Sequence, residues 1–198
     1  MKFEDFIYVK DNVLSQSICD EIIIRYEEDE RKSPGLVGIV GNDRVVDKTL
    51  KTSTDLFITD LEEWKDIDDM MAKLVSECIQ NYLNRCFKFF NNLNPRPNPF
   101  RSTKFEDRGY NVKSYDPGGF FHWHDDFTLD DKNFPRMVAM LFYLNNVGQG
   151  GYTEFINGRK VHPSVGRLVM FPATWNYIHR GFPPKKNKKY IISTYLYQ

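Results

Sequence analysis

The stretch that decides the fold is Ser114-Tyr115-Asp116-Pro117-Gly118-Gly119-Phe120-Phe121-His122-Trp123-His124-Asp125-Asp126-Phe127. Asp116 to Gly119 predict a tight turn, because proline presets φ at one corner and glycine accepts a positive φ at the next. The aromatic-rich run from Phe120 to Phe127 predicts a strand. Side chains alternate along a strand, so His122, His124 and Asp126 are expected on one face. Two imidazoles and a carboxylate on one face make a candidate metal site.

A metal held on one side of this strand needs a further protein ligand from elsewhere in the chain. His162 stands beside a turn, in Lys160-Val161-His162-Pro163. His179 follows a predicted strand and turn that return the chain to the mouth of a barrel. Ten residues after His179, Lys189 opens the last predicted strand. The residues alone leave the third ligand open between the two histidines.

Composition describes an ordinary globular protein without a strong electrostatic field. Of 198 residues, 41% are hydrophobic and 27% are charged. The aromatic share of 15% is high, which favours β-rich packing. Lys and Arg together number 27 and so do Asp and Glu, so the net charge is zero. We therefore expect neither nucleic acid nor a membrane as a partner.

The cysteine pattern and the N-terminal residues predict a soluble, cytoplasmic protein. We expect this protein to be a monomer. Cys19, Cys78 and Cys86 are odd in number and widely spaced, so reduced thiols are expected rather than a disulfide framework. The acidic start from Met1 to Asp5 precedes no long apolar run, and a signal peptide is not expected. No stretch approaches transmembrane length.

The N-terminal part, residues 1–90, predicts helices, short strands and a flap. Phe6–Val9 and Asp55–Ile58 are short strand candidates, and a helix over Ser17–Tyr26 is capped by Ser15 or Ser17. The glycine- and valine-rich segment Ser33–Asp47 predicts a hairpin or flap. Asp60 is expected to cap a long helix from Leu61 to about Phe87. Its buried stripe should comprise Met70, Leu74, Cys78 and Tyr82.

The C-terminal part, residues 105–198, predicts a succession of strands. The breaker-rich connector Asn91–Pro99 separates it from the helical part, and we interpret the whole chain, 1–198, as one domain. Short connections rich in Gly, Pro and Asn join the strands, as in a β-sandwich or barrel. The predicted strands are Tyr110–Tyr115, Phe120–Phe127, Met137–Leu144, Tyr152–Phe155, Arg167–Phe171 and Tyr190–Tyr197.

Five ordered elements of residues 105–198 carry a resemblance to a known family. They are Tyr115, Gly118, Phe121, His124 and Asp126; Tyr143-Leu144-Asn145; Gly150-Gly151-Tyr152-Thr153-Glu154-Phe155; His179; and Lys189. In this order and spacing the chain resembles the prolyl 4-hydroxylase-like branch of the iron(II)- and 2-oxoglutarate-dependent dioxygenases. The resemblance implies a mostly β fold, a double-stranded β-helix (jelly-roll) core with the N-terminal helices packed on one sheet.

The resemblance also implies the metal and the reaction. His124, Asp126 and His179 would hold Fe(II), a two-histidine, one-carboxylate set that leaves coordination positions open for 2-oxoglutarate and O₂. A structural zinc site would usually be closed by a fourth protein ligand. The implied enzyme hydroxylates a C–H bond, most simply of a peptidyl proline, and releases succinate and CO₂. Ascorbate is the expected reductant.

The same resemblance implies a 2-oxoglutarate pocket. Lys189 would pair with the distal carboxylate of 2-oxoglutarate, a contact that is stronger in a low-dielectric pocket than at the surface. Tyr115 and Tyr143 would add hydroxyl donors, and Ser193 lies on the same strand face as Lys189. Thr153 and Leu141 would line the wall.

Several alternatives stay open at this point. His122-x-His124 is itself a chelating spacing, although the offsets from Tyr115 and Gly118 favour His124 as the ligand and leave His122 facing the substrate or supporting the ligands. Arg136 is interpreted as a charge at a sheet edge and His162 as structural. The substrate is a peptide or protein, or else a free amino acid or small metabolite. A non-catalytic jelly-roll binding module is the alternative outside enzymes.

Overall fold

The computed structural model describes residues 2–38, 44–91, 93–94 and 104–198. The helices of these ranges are a 3-10 helix Phe3–Phe6, α1 (Gln16–Glu28), a 3-10 helix Glu62–Trp64 and α2 (Lys65–Phe90). The strands are β1 (Tyr8–Lys10), β2 (Ser33–Pro34), β3 (Val37–Gly38), β4 (Arg44–Val45), β5 (Thr54–Phe57), β6 (Glu106–Asp107), β7 (Asn111–Tyr115), β8 (Phe121–His124), β9 (Arg136–Tyr143), β10 (Thr153–Phe155), β11 (Lys160–Val161), β12 (Arg167–Pro172), β13 (His179–Gly181) and β14 (Lys189–Tyr197).

Two antiparallel sheets face each other and form the core. The larger sheet has the strand order β1-β12-β9-β14-β7-β5-β2, and β6 pairs with the end of β14. The smaller sheet has the order β11-β10-β13-β8, while β3 and β4 form a separate hairpin. Strands adjacent in these sheets are often distant in sequence, as in a jelly roll. The predicted mostly β jelly-roll fold with supporting helices is confirmed.

Alternation along the central strand β9 divides the hydrophobic residues into two clusters. Val138, Met140 and Phe142 face the helices and pack with buried residues of α1 and α2. Leu141 and Tyr143 face the other way and pack with Phe155 and other residues of the smaller sheet. Since the strand period is two, one strand serves both clusters. The site described below lies between the two sheets.

The helices cover the outer face of the larger sheet, and the predicted cap of α1 is confirmed whereas that of α2 is not. Ser15 caps α1, and its Oγ accepts a hydrogen bond from the backbone N–H of Ile18 at 3.3 Å. The prediction that Asp60 caps the second helix is wrong. A 3-10 turn intervenes, and α2 begins at Lys65 with Trp64 at its N-cap.

The buried stripe of α2 is also rotated from the predicted one. Met70 and Leu74 are only partly buried, whereas the buried residues are Ile67, Met71, Val75, Cys78, Ile79, Tyr82, Leu83 and Cys86. Repeated steps of four residues drift around a helix of 3.6 residues per turn. A face that stays on the sheet needs steps of three as well, as between Val75 and Cys78.

The deciding stretch forms its turn but a shorter strand than predicted. Gly118 has a φ of +86°, and the backbone N–H of Gly119 donates to the carbonyl of Asp116 at 2.7 Å. The strand β8 ends at His124, so Asp126 follows the strand instead of lying on it. The early segment Phe6–Val9 is likewise split between a 3-10 turn and β1.

The predicted flap and connector fall partly outside the described residues. Of Ser33–Asp47, the short strands β2, β3 and β4 are described and residues 39–43 are not. Most of the connector, residues 92 and 95–99, also lies outside the described residues. In the described part of the chain, no helix combines the length and the apolar character needed to cross a membrane.

Candidate metal centre

Two neighbouring strands of the smaller sheet bring three metal-ligating side chains together. His124 ends β8, Asp126 follows two residues later, and His179 opens β13, where it pairs directly with His124. One ligand atom from each lies within 4.8 Å of the others. The Nε2 atoms of His124 and His179 stand 3.9 and 3.5 Å from the carboxylate oxygens of Asp126. Among the described residues, this is the cluster suited to hold a metal ion.

The backbone orients both imidazoles in the same way. His124 Nδ1 lies 2.7 Å from the carbonyl of His122, and His179 Nδ1 lies 3.0 Å from the carbonyl of Tyr177. A carbonyl only accepts, so each Nδ1 carries the proton and each Nε2 keeps its lone pair. Metal-ligating histidines commonly have such an arrangement. The rings therefore present two basic nitrogens to the same point.

The surroundings of His124 and Asp126 favour the protonation states that a metal requires. Burial lowers the pKa of His124 to about 3, and the neighbouring His179 acts in the same direction. For Asp126, burial alone would raise the pKa, but His179 and His124 outweigh it and the pKa lies below its usual range. Neutral imidazole and ionised carboxylate are the ligand forms.

Two residues that the sequence did not assign to the site hold Asp126. The Tyr195 hydroxyl donates to Asp126 Oδ1 at 3.2 Å. Arg136 donates to the backbone carbonyl of Asp126 at 3.0 Å and lies 3.6 Å from the ring centre of Tyr195. The interpretation of Arg136 as a mere sheet-edge charge is therefore wrong. Residues 189, 193 and 195 lie on the same face of β14 because side chains alternate along a strand. This alternation could have identified Tyr195 as a site residue from the sequence.

Lys189 is a buried cation without an acidic partner. It opens β14 opposite Tyr115, is 3% exposed, and lines the same cavity as the three clustered side chains. Its Nζ lies 5.3 and 5.4 Å from the ring centres of Tyr115 and Tyr143, and no carboxylate of the described residues lies within 4 Å. Burial lowers the pKa of Lys189 to about 7. Such a group is suited to pair with an anionic ligand.

The other residues expected in the pocket fall into two groups. Tyr115, Leu141 and Thr153 line the cavity together with Lys189. The Tyr143 hydroxyl instead bonds to Thr153 Oγ1 at 2.6 Å. Ser193 is 2% exposed, and its Oγ has no hydrogen-bond partner among the described residues. Tyr143 and Ser193 thus surround the cavity without being part of its lining.

The remaining two histidines lie apart from the cluster. The side chain of His122 is exposed, and its backbone N–H donates to the carbonyl of Leu50. His162 is exposed and lies against Tyr152, with ring centres 5.3 Å apart. Neither lines the cavity that contains His124 and His179.

The stem of the flap is attached to the strand that carries His124. Lys51 forms a bridge with Phe121, and the backbone N–H of Thr52 donates to the carbonyl of Phe120 at 3.0 Å. Phe121 in turn stacks on the His124 ring, with centres 3.5 Å apart. Residues 50–52 therefore run along β8 as its outer neighbour.

The C-terminal part of the chain matches one family model. The model of the 2OG-Fe(II) oxygenase superfamily matches residues 110–197. This range contains the three clustered side chains, Lys189 and Tyr115. No curated protein matches the chain in sequence.

Solved structures with the same fold cover nearly the whole chain. A viral collagen prolyl hydroxylase from Paramecium bursaria Chlorella virus-1, in complex with 2OG, matches 97% of this chain and 96% of its own at 19% identity and a TM-score of 0.63. A Trichoplax adhaerens prolyl hydroxylase, in complex with a hypoxia inducible factor peptide, matches 98% and 84% at 19% identity and a TM-score of 0.70. A Pseudomonas putida prolyl-4-hydroxylase matches 98% and 92% at 17% identity and a TM-score of 0.63. At these identities the likeness shows the fold.

Proposed function

Residues 110–197 match the 2OG-Fe(II) oxygenase superfamily, and on that basis we propose that the chain is such an oxygenase and hydroxylates a proline within a peptide. The observation that carries the proposal is the cluster of His124, Asp126 and His179, whose ligand atoms lie within 4.8 Å of one another beside a buried, unpaired lysine. A metal site and an anion site thus share one cavity.

The residues present fit Fe(II) and 2-oxoglutarate. Two imidazole nitrogens and one carboxylate are the donor set of non-haem iron enzymes, and they leave positions for other ligands. His124, Asp126 and His179 would hold the iron. Together, iron and 2-oxoglutarate would activate O₂. One oxygen atom would enter succinate, which is released with CO₂, and the other would be inserted into a substrate C–H bond.

The other residues of the cavity would bind and orient 2-oxoglutarate. The Lys189 ammonium would bind its distal carboxylate, and the surrounding rings of Tyr115 and Tyr143 exclude water from that contact. Thr153 and Leu141 would form the wall of the pocket. Ser193, whose Oγ has no hydrogen-bond partner among the described residues, lies on the same strand as Lys189. A buried charge-assisted contact of this kind is stronger than a surface pair.

Exposed apolar side chains near the site support a peptide as substrate. Phe127, Leu129 and Phe134 belong to the segment that follows Asp126, and all three are at least 43% exposed. Leu36 is also 46% exposed, and its carbonyl accepts a hydrogen bond from Lys51 Nζ at 3.3 Å. Apolar surfaces of this kind mark sites for other chains.

Three further features are part of the same proposal. The three cysteines are free and buried, which favours a reducing compartment, and we place the protein in the cytoplasm. The balanced charge favours neither nucleic acid nor a membrane as partner. We expect a monomer that uses ascorbate to keep its iron reduced.

A peptide-library experiment tests the proposal. Protein loaded with Fe(II) is incubated with 2-oxoglutarate, O₂ and proline-containing peptides, and mass spectrometry locates any added oxygen atom. We expect hydroxylated proline in the wild type and in His162→Ala, a control histidine outside the cavity, and none in His124→Ala.

Two results would contradict the proposal. Equal succinate formation by the wild type and by His124→Ala would refute the metal assignment. Oxidation of free amino acids or other metabolites, with every peptide left unchanged, would refute the peptide substrate.

A further inference from the structure

A second buried lysine lines the cavity, and neither the metal ligands nor the 2-oxoglutarate contacts use it. Lys113 lies on β7, two residues before Tyr115, so both side chains point to the same face. It is 8% exposed and lines the cavity together with His124, Asp126 and Lys189.

The carboxylate nearest to Lys113 is already engaged. Asp55 lies opposite Lys113 on β5, and its Oδ2 is 2.9 Å from Lys51 Nζ but 4.0 Å from Lys113 Nζ. Ser53 donates to the other oxygen, Oδ1, at 2.5 Å. Two buried ammonium groups therefore share one carboxylate, and the closer one is Lys51.

The charges facing Lys113 from other elements do not balance it. They are the carboxylates of Asp55 and Asp126 and the cations of Lys51 and Arg136. Burial lowers the pKa of Lys113 to about 8, and Lys51 acts in the same direction. If Asp126 binds the metal and 2-oxoglutarate binds Lys189, Lys113 still lacks an anion of its own. A buried charge whose only carboxylate is shared and 4.0 Å away is poorly compensated, so a ligand that pairs with it gains affinity.

We propose that Lys113 binds a carboxylate of the substrate next to the C–H bond that is hydroxylated. The inference rests on the proposed function and narrows its substrate to an anionic one. Two sources have this chemistry: the α-carboxylate of a proline at the C-terminus of a peptide, and the side chain of an aspartate or glutamate beside a peptidyl proline.

Matched pairs of probes separate these sources. Peptides that end in a proline carboxylate are compared with the same peptides ending in prolinamide, and blocked peptides with glutamate directly after proline are compared with glutamine peptides. Substrate-dependent succinate formation gives kcat/KM for each. Wild type should favour the charged member of at least one pair by about 10-fold or more, the usual scale of a charge-assisted contact.

The variant Lys113→Met removes the charge and keeps the length of the side chain. It leaves the Lys51–Asp55 pair intact, so it should fold with an unchanged or higher melting temperature. It should lose the preference for the charged probe while its Kd for 2-oxoglutarate stays within about twofold. Lys113→Arg should retain part of the preference. Lys73→Met, on the exposed face of α2, serves as the control and should resemble wild type.

Three results would overturn the inference. The first is a wild type that shows no preference in either pair of probes. The second is weaker 2-oxoglutarate binding in Lys113→Met, which would place Lys113 in the 2-oxoglutarate subsite. A large drop in melting temperature would instead make Lys113 a structural partner of Asp55. Hydroxylated proline in the peptide library that is lost in His124→Ala keeps the proposed function standing in each of these cases.

Discussion

Binding of 2-oxoglutarate should be coupled to proton uptake at Lys189. In the free protein, burial lowers the pKa of this lysine to about 7, whereas the ordinary value is 10.5. The distal carboxylate of 2-oxoglutarate pairs only with the charged ammonium. Above pH 7 the protein must therefore take up a proton before the pair forms.

The size of the effect follows from the two pKa values. Each pH unit between 7 and 10.5 should weaken binding by about tenfold, because one pKa unit corresponds to ~1.36 kcal/mol. Because half of the lysine is already neutral at pH 7, the Kd at pH 9 should be about 50-fold higher than at pH 7. The stability of the free protein should change in the opposite sense. Between pH 7 and 10.5 the unfolded chain binds more protons at Lys189 than the folded one does. The contribution of Lys189 to the free energy of unfolding therefore rises with pH and is lost as the pH falls to 7.

Calorimetric titration measures both quantities. Mn(II)-loaded protein is titrated with 2-oxoglutarate at pH 7 and 9, in two buffers that differ in ionisation enthalpy. About one proton should be taken up at pH 9 in wild type and none at this site in Lys189→Met. Lys113→Met is the control and should keep the uptake. A Kd that does not change with pH, or equal uptake in Lys189→Met, would refute the reasoning.

Three further predictions concern stability and are read from the urea midpoint. Thr153→Val leaves the buried Tyr143 hydroxyl without its 2.6 Å partner and should cost ~1–3 kcal/mol; no loss would mean that the hydroxyl finds another partner. Phe142→Ala empties a fully buried position between sheet and helices and should cost ~3–5 kcal/mol, and a cost below ~1 would contradict the packing described. Ser15→Ala should cost ~0.5–2 kcal/mol and Ser17→Ala less, because Ser15 caps α1; the reverse order would refute that assignment.

The sequence predicted β7, β8, β9, β10, β12 and β14 because each is a compact run between strong turn signals, whereas the short strands β6, β11 and β13 were not predicted. The turn at Gly118 and the beginning of β14 near Lys189 are local features of this kind. The end of β8 could not be predicted, since Asp126 has the same alternating pattern whether it lies on the strand or after it. Where pairing stops is decided by the neighbouring strand, here β13.

The candidate site was predictable only where a motif carried it. His124, Asp126 and His179 came from spacing shared with a family. The assignment of these three as ligands stays a prediction, although the structure brings them together. Alternation along β14 places Tyr195 on the face of Lys189, but neither Tyr195 nor Lys113 has a local signal that shows which residues lie opposite it. Their position depends on which strands become neighbours, and that is a property of the whole sheet.

Both histidines of the cluster are oriented by main-chain carbonyls two residues earlier, those of His122 and Tyr177. A carbonyl is present whatever amino acid occupies the position, so no side-chain exchange at residue 122 or 177 removes it. Substitutions of the side chains at these two positions therefore leave the tautomer of each histidine ring unchanged. The residues that line the cavity can thus change during evolution to accept other substrates, while the Nε2 atoms of His124 and His179 remain available to the metal ion.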